Sequence, residues 1–489
     1  MLLPVASLPS KYGIGAFSKE AYEFVDRLKQ AGQQYWQILP LGPTGFGDSP
    51  YQSFSAFAGN PYFIDLDALI REGLLTEEEC SHVDFGGEAR KVDYEKLHYN
   101  RLPLLKMAYS RWKEGRNEAE DADIPELGEE TAEYCFYMAI KDHFEGKSWD
   151  LWDDDIRLRK PEAMKRYGKE LEDEICFYSF LQHRFETQWR ALKDYANEQG
   201  IRIIGDIPIY VAFDSADSWS HPELFQFDKN REPVSVAGCP PDGFSPTGQL
   251  WGNPLYRWDY HKKTGYQWWL KRMKYSFDLY DVVRVDHFRG FDEYYAIPAG
   301  NTTAEVGEWK KGPGIDLFRV IRKALGDLDI IAEDLGFLTP SVRQLLQDSG
   351  YPGMKVLEFA FNPGEESDYL PHNYNDNCVV YTGTHDNDTL RSWFRTLDWG
   401  SKDFAYRYMG NHRTPEEEIH WDFIRLALSS VAKLAVIPVQ DYLGLGREAR
   451  INEPSTLGGN WTWRMLPGEL NDDLLSRCWH MAKWYSRLG

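Results

Sequence analysis

Residues 282–291 read VVRVDHFRGF. Val282, Val283 and Val285 give the run the β-branched composition of a buried strand, yet it ends in Arg284, Asp286 and His287. Charge at the tip of a core strand costs desolvation unless it is paired or used. Residues two apart along a strand share a face, so Arg284 and Asp286 point together. His287 points the other way unless the strand bends at its tip. A guanidinium beside a carboxylate favours its ionised form, which suits Asp286 to a nucleophile's role. A purely structural Arg and Asp pair is the plainer alternative.

The same pattern recurs along the chain. IRIIGDIP (201–208) runs into Asp206, DIIAEDLG (329–336) into Glu333, and VVYTGTHDND (379–388) into Asp386. A lone acid after a strand is often a helix cap or a turn residue, but four of them call for a common cause. In a parallel barrel the strand ends converge on one mouth, which would gather all four acids.

Eight short apolar runs fit the strands of such a barrel: Leu2–Ala6, Tyr35–Leu39, Ile201–Gly205, Val282–Val285, Ile330–Ala332, Val356–Phe361, Cys378–Thr382 and Ala435–Val439. Helical patterns lie between most of them. In 18–32, Ala21, Phe24, Val25, Leu28 and Ala31 keep one face apolar and Gly32 ends the helix. Residues 339–350 begin with Thr339 as cap and Pro340 at the first helical position. Residues 414–434 repeat that start, with Glu417 completing a capping box on Thr414. The expected fold class is therefore α/β, a (β/α)8 TIM barrel. It carries large insertions between strands 2 and 3 (about 62–180, mainly helical) and between strands 3 and 4 (about 210–265, loop-rich and covering the mouth). Residues 1–489 read as one barrel domain.

The net charge of -22, from 55 basic against 77 acidic residues, argues against nucleic acid, whose phosphates need a basic footprint. No apolar run is long enough for a membrane span. The N-terminal MLLPVASLPS has no basic region and is cut by Pro4 and Pro9, unlike a secretory leader. Six cysteines without C-x-x-C spacing suit buried free thiols in a reducing compartment, so the cytoplasm is the expected location.

Glu333 has no basic neighbour in sequence, so burial would raise its pKa toward that of a general acid and base. Two carboxylates tuned in opposite directions fit glycoside chemistry; a magnesium-dependent enolase-type site remains an alternative on these residues. His385 and Asp386 resemble a metal pair, but nothing is spaced to complete a cluster, so no metal is expected. The aromatic content, 15 % of the chain, favours sugar, with Tyr51, Trp251 and Trp258 in loops where core packing need not explain them.

Seven segments carry a resemblance: LGPTGFGDSPYQSFSAFAGNPYFIDL (41–66), GDIPIYVAFDSADSW (205–219), PPDGFSPTGQLWGNPLY (240–256), VVRVDHFRGF (282–291), IIAEDLG (330–336), YTGTHDNDT (381–389) and GNWTWR (459–464). In this order, across nearly the whole chain, they resemble the 4-α-glucanotransferases (amylomaltases, disproportionating enzymes) of glycoside hydrolase family 77. The resemblance implies a barrel related to the α-amylases without their C-terminal β domain, and a retaining double displacement on α-1,4-glucans with no cofactor. It implies Asp286 as nucleophile, Glu333 as acid and base, and Asp386 as the transition-state carboxylate. Tyr51, Asp206, Arg284 and His385 would frame the sugar at the cleavage point; Asp242, Gln249 and Trp251 would belong to a loop that covers the glucan and helps admit an acceptor. The implied partners are maltooligosaccharides, starch- or glycogen-derived glucans and glucose as acceptor. Phe46 departs from the family, standing where some members carry a Tyr of a second glucan-binding site. An α-amylase-like hydrolase and a non-catalytic glucan-binding barrel are the rival readings; the second predicts a lost acid, and all are present.

Overall fold

The structure is a computed structural model that describes residues 1–45, 47–115, 127–241, 245–336 and 338–488. In chain order its strands are β1 (Tyr35–Gln37), β2 (Arg202–Pro208), β3 (Ser235–Cys239), β4 (Gln249–Pro254), β5 (Val282–Asp286), β6 (Glu293–Pro298), β7 (Glu308–Lys311), β8 (Ile330–Ala332), β9 (Gly353–Val356), β10 (Cys378–Tyr381) and β11 (Leu434–Val436). Seven of them form one parallel sheet in the order β1-β2-β5-β8-β9-β10-β11.

That sheet closes through the start of the chain. Leu2 bridges in parallel to Gln37 on one side and Pro438 on the other. Its N–H donates to Ile437 O at 2.9 Å and its carbonyl accepts from Val439 N–H at 3.0 Å. The architecture is thus the expected barrel with its eighth stave reduced to one bridging residue. The strand expected over Leu2–Ala6 stops early because Pro4 has no N–H to give the ladder and Val5–Ser7 turns into a 3-10 helix.

Two more expectations need correction. The strand expected at Val356–Phe361 lies at Gly353–Val356, and Leu357–Phe359 already forms a 3-10 turn. Apolar side chains there pack around the strand end, so hydrophobicity alone shifted the reading toward the C-terminus. The helix expected from Thr414 begins at Ile419, with Glu418 as a cap lacking a side-chain bond, so the Thr414 and Glu417 capping box does not form. The other helix ends stand: Thr339 Oγ1 accepts the Val342 N–H beside Pro340, and Lys19–Gln30 is followed by Gly32 at φ +67°.

Alternation sorts the barrel side chains. Val283 and Val285 belong to the large core between sheet and helices, whereas Ile204, Val282, Ile331, Val379 and Val436 pack inside the barrel. Between β1 and β2 the described elements are mainly helices, among them Leu102–Glu114, Glu129–His143 and the 27-residue Glu172–Glu198. A second, antiparallel sheet, β4-β3-β6-β7, unites the segment before β5 with the one after it. No helix among the described residues is long and apolar enough to cross a membrane. None of the six cysteines is in a disulfide; Cys176 is exposed and Cys239 half-buried, so burial does not extend to every thiol.

Candidate active site

Strand register sets the centre of the barrel mouth. Asp206 on β2 lies beside Arg284 on β5, and Asp286 follows two residues later on the same face. Arg284 is 2 % exposed and its guanidinium bridges both acids: Nη1 donates to Asp206 Oδ1 and Oδ2 at 2.8 and 2.7 Å, and Nη2 to Asp286 Oδ1 at 2.9 Å. The Met354 sulfur stands 3.4 Å from its Nε. Burial raises Asp206 to about 6 against the pull of Arg284. Asp206 is sealed from solvent, but the Asp286 side chain is 30 % exposed and is the member of the trio open to a ligand.

His287 ends the strand in a left-handed conformation, φ +54°. Alternation alone does not fix this bend, and through it His287 N–H donates to Glu333 Oε2 at 2.7 Å. Leu335 N–H donates to the other oxygen, Oε1, at 2.8 Å. Burial, reinforced by the negative charge of Asp286, raises Glu333 to about 7, while Arg284 and the two N–H groups pull the other way. Burial drives the His287 imidazole down to about 3, so it is neutral, and its Nε2 has no partner.

Asp386 has the opposite setting. Burial would raise it, but His385 Nε2 at 3.2 Å and the Asn452 amide at 2.6 Å from Oδ1 outweigh that and hold it at about 2. Although burial disfavours the imidazolium, the Asp386 carboxylate raises the pKa of His385. The bond order is self-consistent if His385 is charged: Nδ1–H faces the Tyr51 hydroxyl oxygen at 3.5 Å, and that hydroxyl donates to Asp206 Oδ2 at 2.9 Å. Tyr51 and His385 also stack, with centroids 5.1 Å apart and planes 18° apart. One network therefore joins Tyr51, Asp206, Arg284, Asp286, His385 and Asp386, and Glu333 reaches it through His287 and its field.

The strand carrying Gln249 and Trp251 comes to the same mouth. Trp251 Nε1 donates to Gln249 Oε1 at 3.1 Å, and its ring meets His287 edge-on at 4.8 Å. Asp242 lies outside the described residues, as does Phe46. Sequence reading missed Asn452 and Arg450, whose Nη2 donates to the Asp386 carbonyl at 2.8 Å. Trp461, 5.8 Å from both Tyr51 and His385, lies within GNWTWR, so a signal for it was present.

Residues 3–470 match the profile of glycoside hydrolase family 77, described as 4-alpha-glucanotransferase. The chain belongs to this family. A 4-alpha-glucanotransferase of Clostridium butyricum is 48 % identical over 485 residues, 99 % of each chain. One of Thermus thermophilus is 47 % identical, covering 100 % of this chain and 98 % of its own. Among solved structures, the amylomaltase of Streptococcus agalactiae in complex with acarbose superposes with a TM-score of 0.95 at 40 % identity, over 100 % of this chain and 99 % of that one. Membership of this family makes the chain an enzyme of the 4-alpha-glucanotransferase, glycosyltransferase type.

Proposed function

We propose that the enzyme moves a segment of an α-1,4-glucan to the 4-hydroxyl of glucose or of another α-1,4-glucan by a retaining double displacement. Asp286 attacks the anomeric carbon while Glu333 protonates the departing 4-hydroxyl oxygen, leaving a covalent glucosyl enzyme. Glu333, now a base, takes the proton of the incoming 4-hydroxyl, whose oxygen displaces Asp286. Asp386, ionised at neutral pH, stabilises the positive charge that develops on the sugar ring. The observation that carries this reading is the contrast at the mouth between Glu333, poised near 7, and Asp286, tied to Arg284 yet open to the ligand.

Tyr51, Asp206, Arg284 and His385 hold these acids and frame the sugar at the cleavage point. Gln249, Trp251 and Asp242 belong to a cover that favours an acceptor sugar over water. Residues 1–489 act as one catalytic barrel, with 62–180 a helical insertion and 210–265 the cover. Maltooligosaccharides and starch- or glycogen-derived glucans are the donors, in the cytoplasm, without a cofactor.

Pure maltotriose tests the reaction. Transfer yields glucose and longer oligosaccharides at constant total reducing ends. A steady rise in reducing ends would mean hydrolysis instead.

A further inference from the structure

Behind the acidic mouth lies a second pair of carboxyls. Glu358 sits in the turn Leu357–Phe359 after β9, and Asp441 in the short helix Val439–Tyr442 after β11. They are 8 % and 2 % exposed. Both hold the segment 382–390, which carries His385 and Asp386. Asp441 grips its ends: Thr382 Oγ1 donates to Oδ2 at 2.7 Å and Leu390 N–H to Oδ1 at 2.8 Å.

Glu358 meets the middle of the segment. Its N–H donates to Thr382 O at 3.3 Å, and its carboxyl lies beside the Asn387 side chain, both meeting at Gly383. A Cβ on Gly383 would lie 2.8 Å from Glu358 Oε1, so the absence of a side chain there lets the segment rest on the carboxyl. Asn387 passes the contact on. Its Oδ1 accepts from the N–H and the Oγ1 of Thr384, both at 2.9 Å, and Thr384 Oγ1 accepts from the Asp386 N–H at 3.2 Å. Hydrogen bonds thus link Asn387, against which the Glu358 carboxyl lies, to the backbone of Asp386.

The charge state of Glu358 follows from its surroundings. Oε1 is buried without a partner. The ionisable groups facing the carboxyl are Asp441, Asp388 and Arg450. Arg450 is engaged elsewhere, with Nη2 on the Asp386 carbonyl and Nε on Asn452 O at 2.7 Å. A carboxylate with a bare buried oxygen beside two further acids is strongly disfavoured over the neutral acid. Burial, with Asp441 and Asp388 adding to it, accordingly raises Glu358 well above the ordinary carboxyl range.

We propose that Glu358 is a positioning residue that works as an uncharged carboxylic acid, holding, through Asn387 and Thr384, the segment that presents Asp386 to the substrate. This rests on the role given to Asp386 above.

The test compares Glu358→Gln, Glu358→Leu, Asn387→Ala and Asp386→Ala with the wild type in maltotriose transfer, with the melting temperature of each. Glu358→Gln, a neutral group of the same shape, keeps kcat within about twofold, whereas Glu358→Leu and Asn387→Ala lower kcat by about tenfold, the equivalent of one buried hydrogen bond, with KM little changed. A merely structural role would lower the melting temperature and leave kcat of the folded enzyme intact. The proposal is overturned if Glu358→Gln is as damaging as Glu358→Leu, since charge would then be required, or if Asn387→Ala has wild-type kcat. Should Glu358→Leu fail to fold, Glu358→Gln and Asn387→Ala decide between these results. Wild-type kcat in Asp386→Ala would refute the role of Asp386 itself, and this proposal with it.

Discussion

The two ends of the barrel solve opposite problems. At the mouth, Asp206, Arg284 and His385 are charged or chargeable and almost wholly removed from solvent. At the foot, Tyr35, Gln37, Arg202, Asp329 and Lys433 line a hollow of about 410 Å³. Its ion pair, Arg202 with Asp329, is 44 % and 57 % exposed. Between the ends lie Ile204, Val282, Ile331, Val379 and Val436. A half-exposed pair is worth little, while a buried one is expensive unless both partners are present. The mouth is therefore where the fold gives up stability for preorganised charge, and the foot is where charge is ordinary surface.

The sharpest way to break this contrast is to remove the central cation. Arg284→Leu leaves Asp206 and Asp286 facing each other without compensation. It should destabilise the protein by about 3–5 kcal/mol in denaturant unfolding and lower kcat by roughly 10²–10³-fold. A variant with wild-type stability would mean that the mouth is not held by this ion network.

Next in size is Tyr51→Phe, which deletes the donor to Asp206 and the oxygen facing His385. A hydrogen bond to a charged group is worth about 1.5–3 kcal/mol, so kcat/KM should fall roughly ten- to hundredfold with the stacked ring retained.

Glu333 sharpens the comparison through pH. With its carboxyl near 7, the acid proposed for bond cleavage is lost as pH rises, so kcat/KM should fall on the alkaline side with a midpoint near 7. The sign for stability follows from linkage. A folded-state pKa raised from 4.5 to about 7 means the native protein binds that proton more tightly, so its stabilising contribution is full below 4.5 and is lost as pH rises to about 7. Glu333→Gln should hence be nearly inactive, yet more resistant to unfolding than the wild type at pH 8, with no such advantage at pH 4.5.

The smallest effect belongs to the foot. Arg202→Ala should change stability by no more than about 1 kcal/mol and leave transfer kinetics unaltered. A large loss of activity there would contradict the division of the barrel into a working end and a supporting end.

How much of this was legible in the sequence depended on where each residue lies relative to a strand. Asp206, Arg284, Asp286, Glu333 and Asp386 could be found because each sits in or just after an apolar run, and parallel topology sends all such ends to one mouth. Arg450 and Asn452 follow the last strand in irregular chain, where no periodicity marks a direction. Alternation sets His287 apart from the Arg284 and Asp286 face only for a straight strand, and it is the left-handed bend that gives its N–H to Glu333. Short strands were the weak point. A stave of one residue at Leu2 and a three-residue strand at Leu434–Val436 leave little periodicity to read, and the apolar packing after β9 drew the expected strand past its true end. The pairing of β3 and β4 with β6 and β7 was not foreseeable either, because that sheet joins segments on both sides of β5.

The central claim is that the two facing acids divide the work, Asp286 bonding to the sugar and Glu333 carrying the proton. Incubating Glu333→Gln with α-glucosyl fluoride, whose leaving group needs no acid, and digesting the protein for mass spectrometry tests it directly. The account predicts one added glucosyl unit on the peptide that contains Asp286. A glucosyl unit on Asp386 instead, or an unlabelled protein that releases a β-anomeric product, would contradict it.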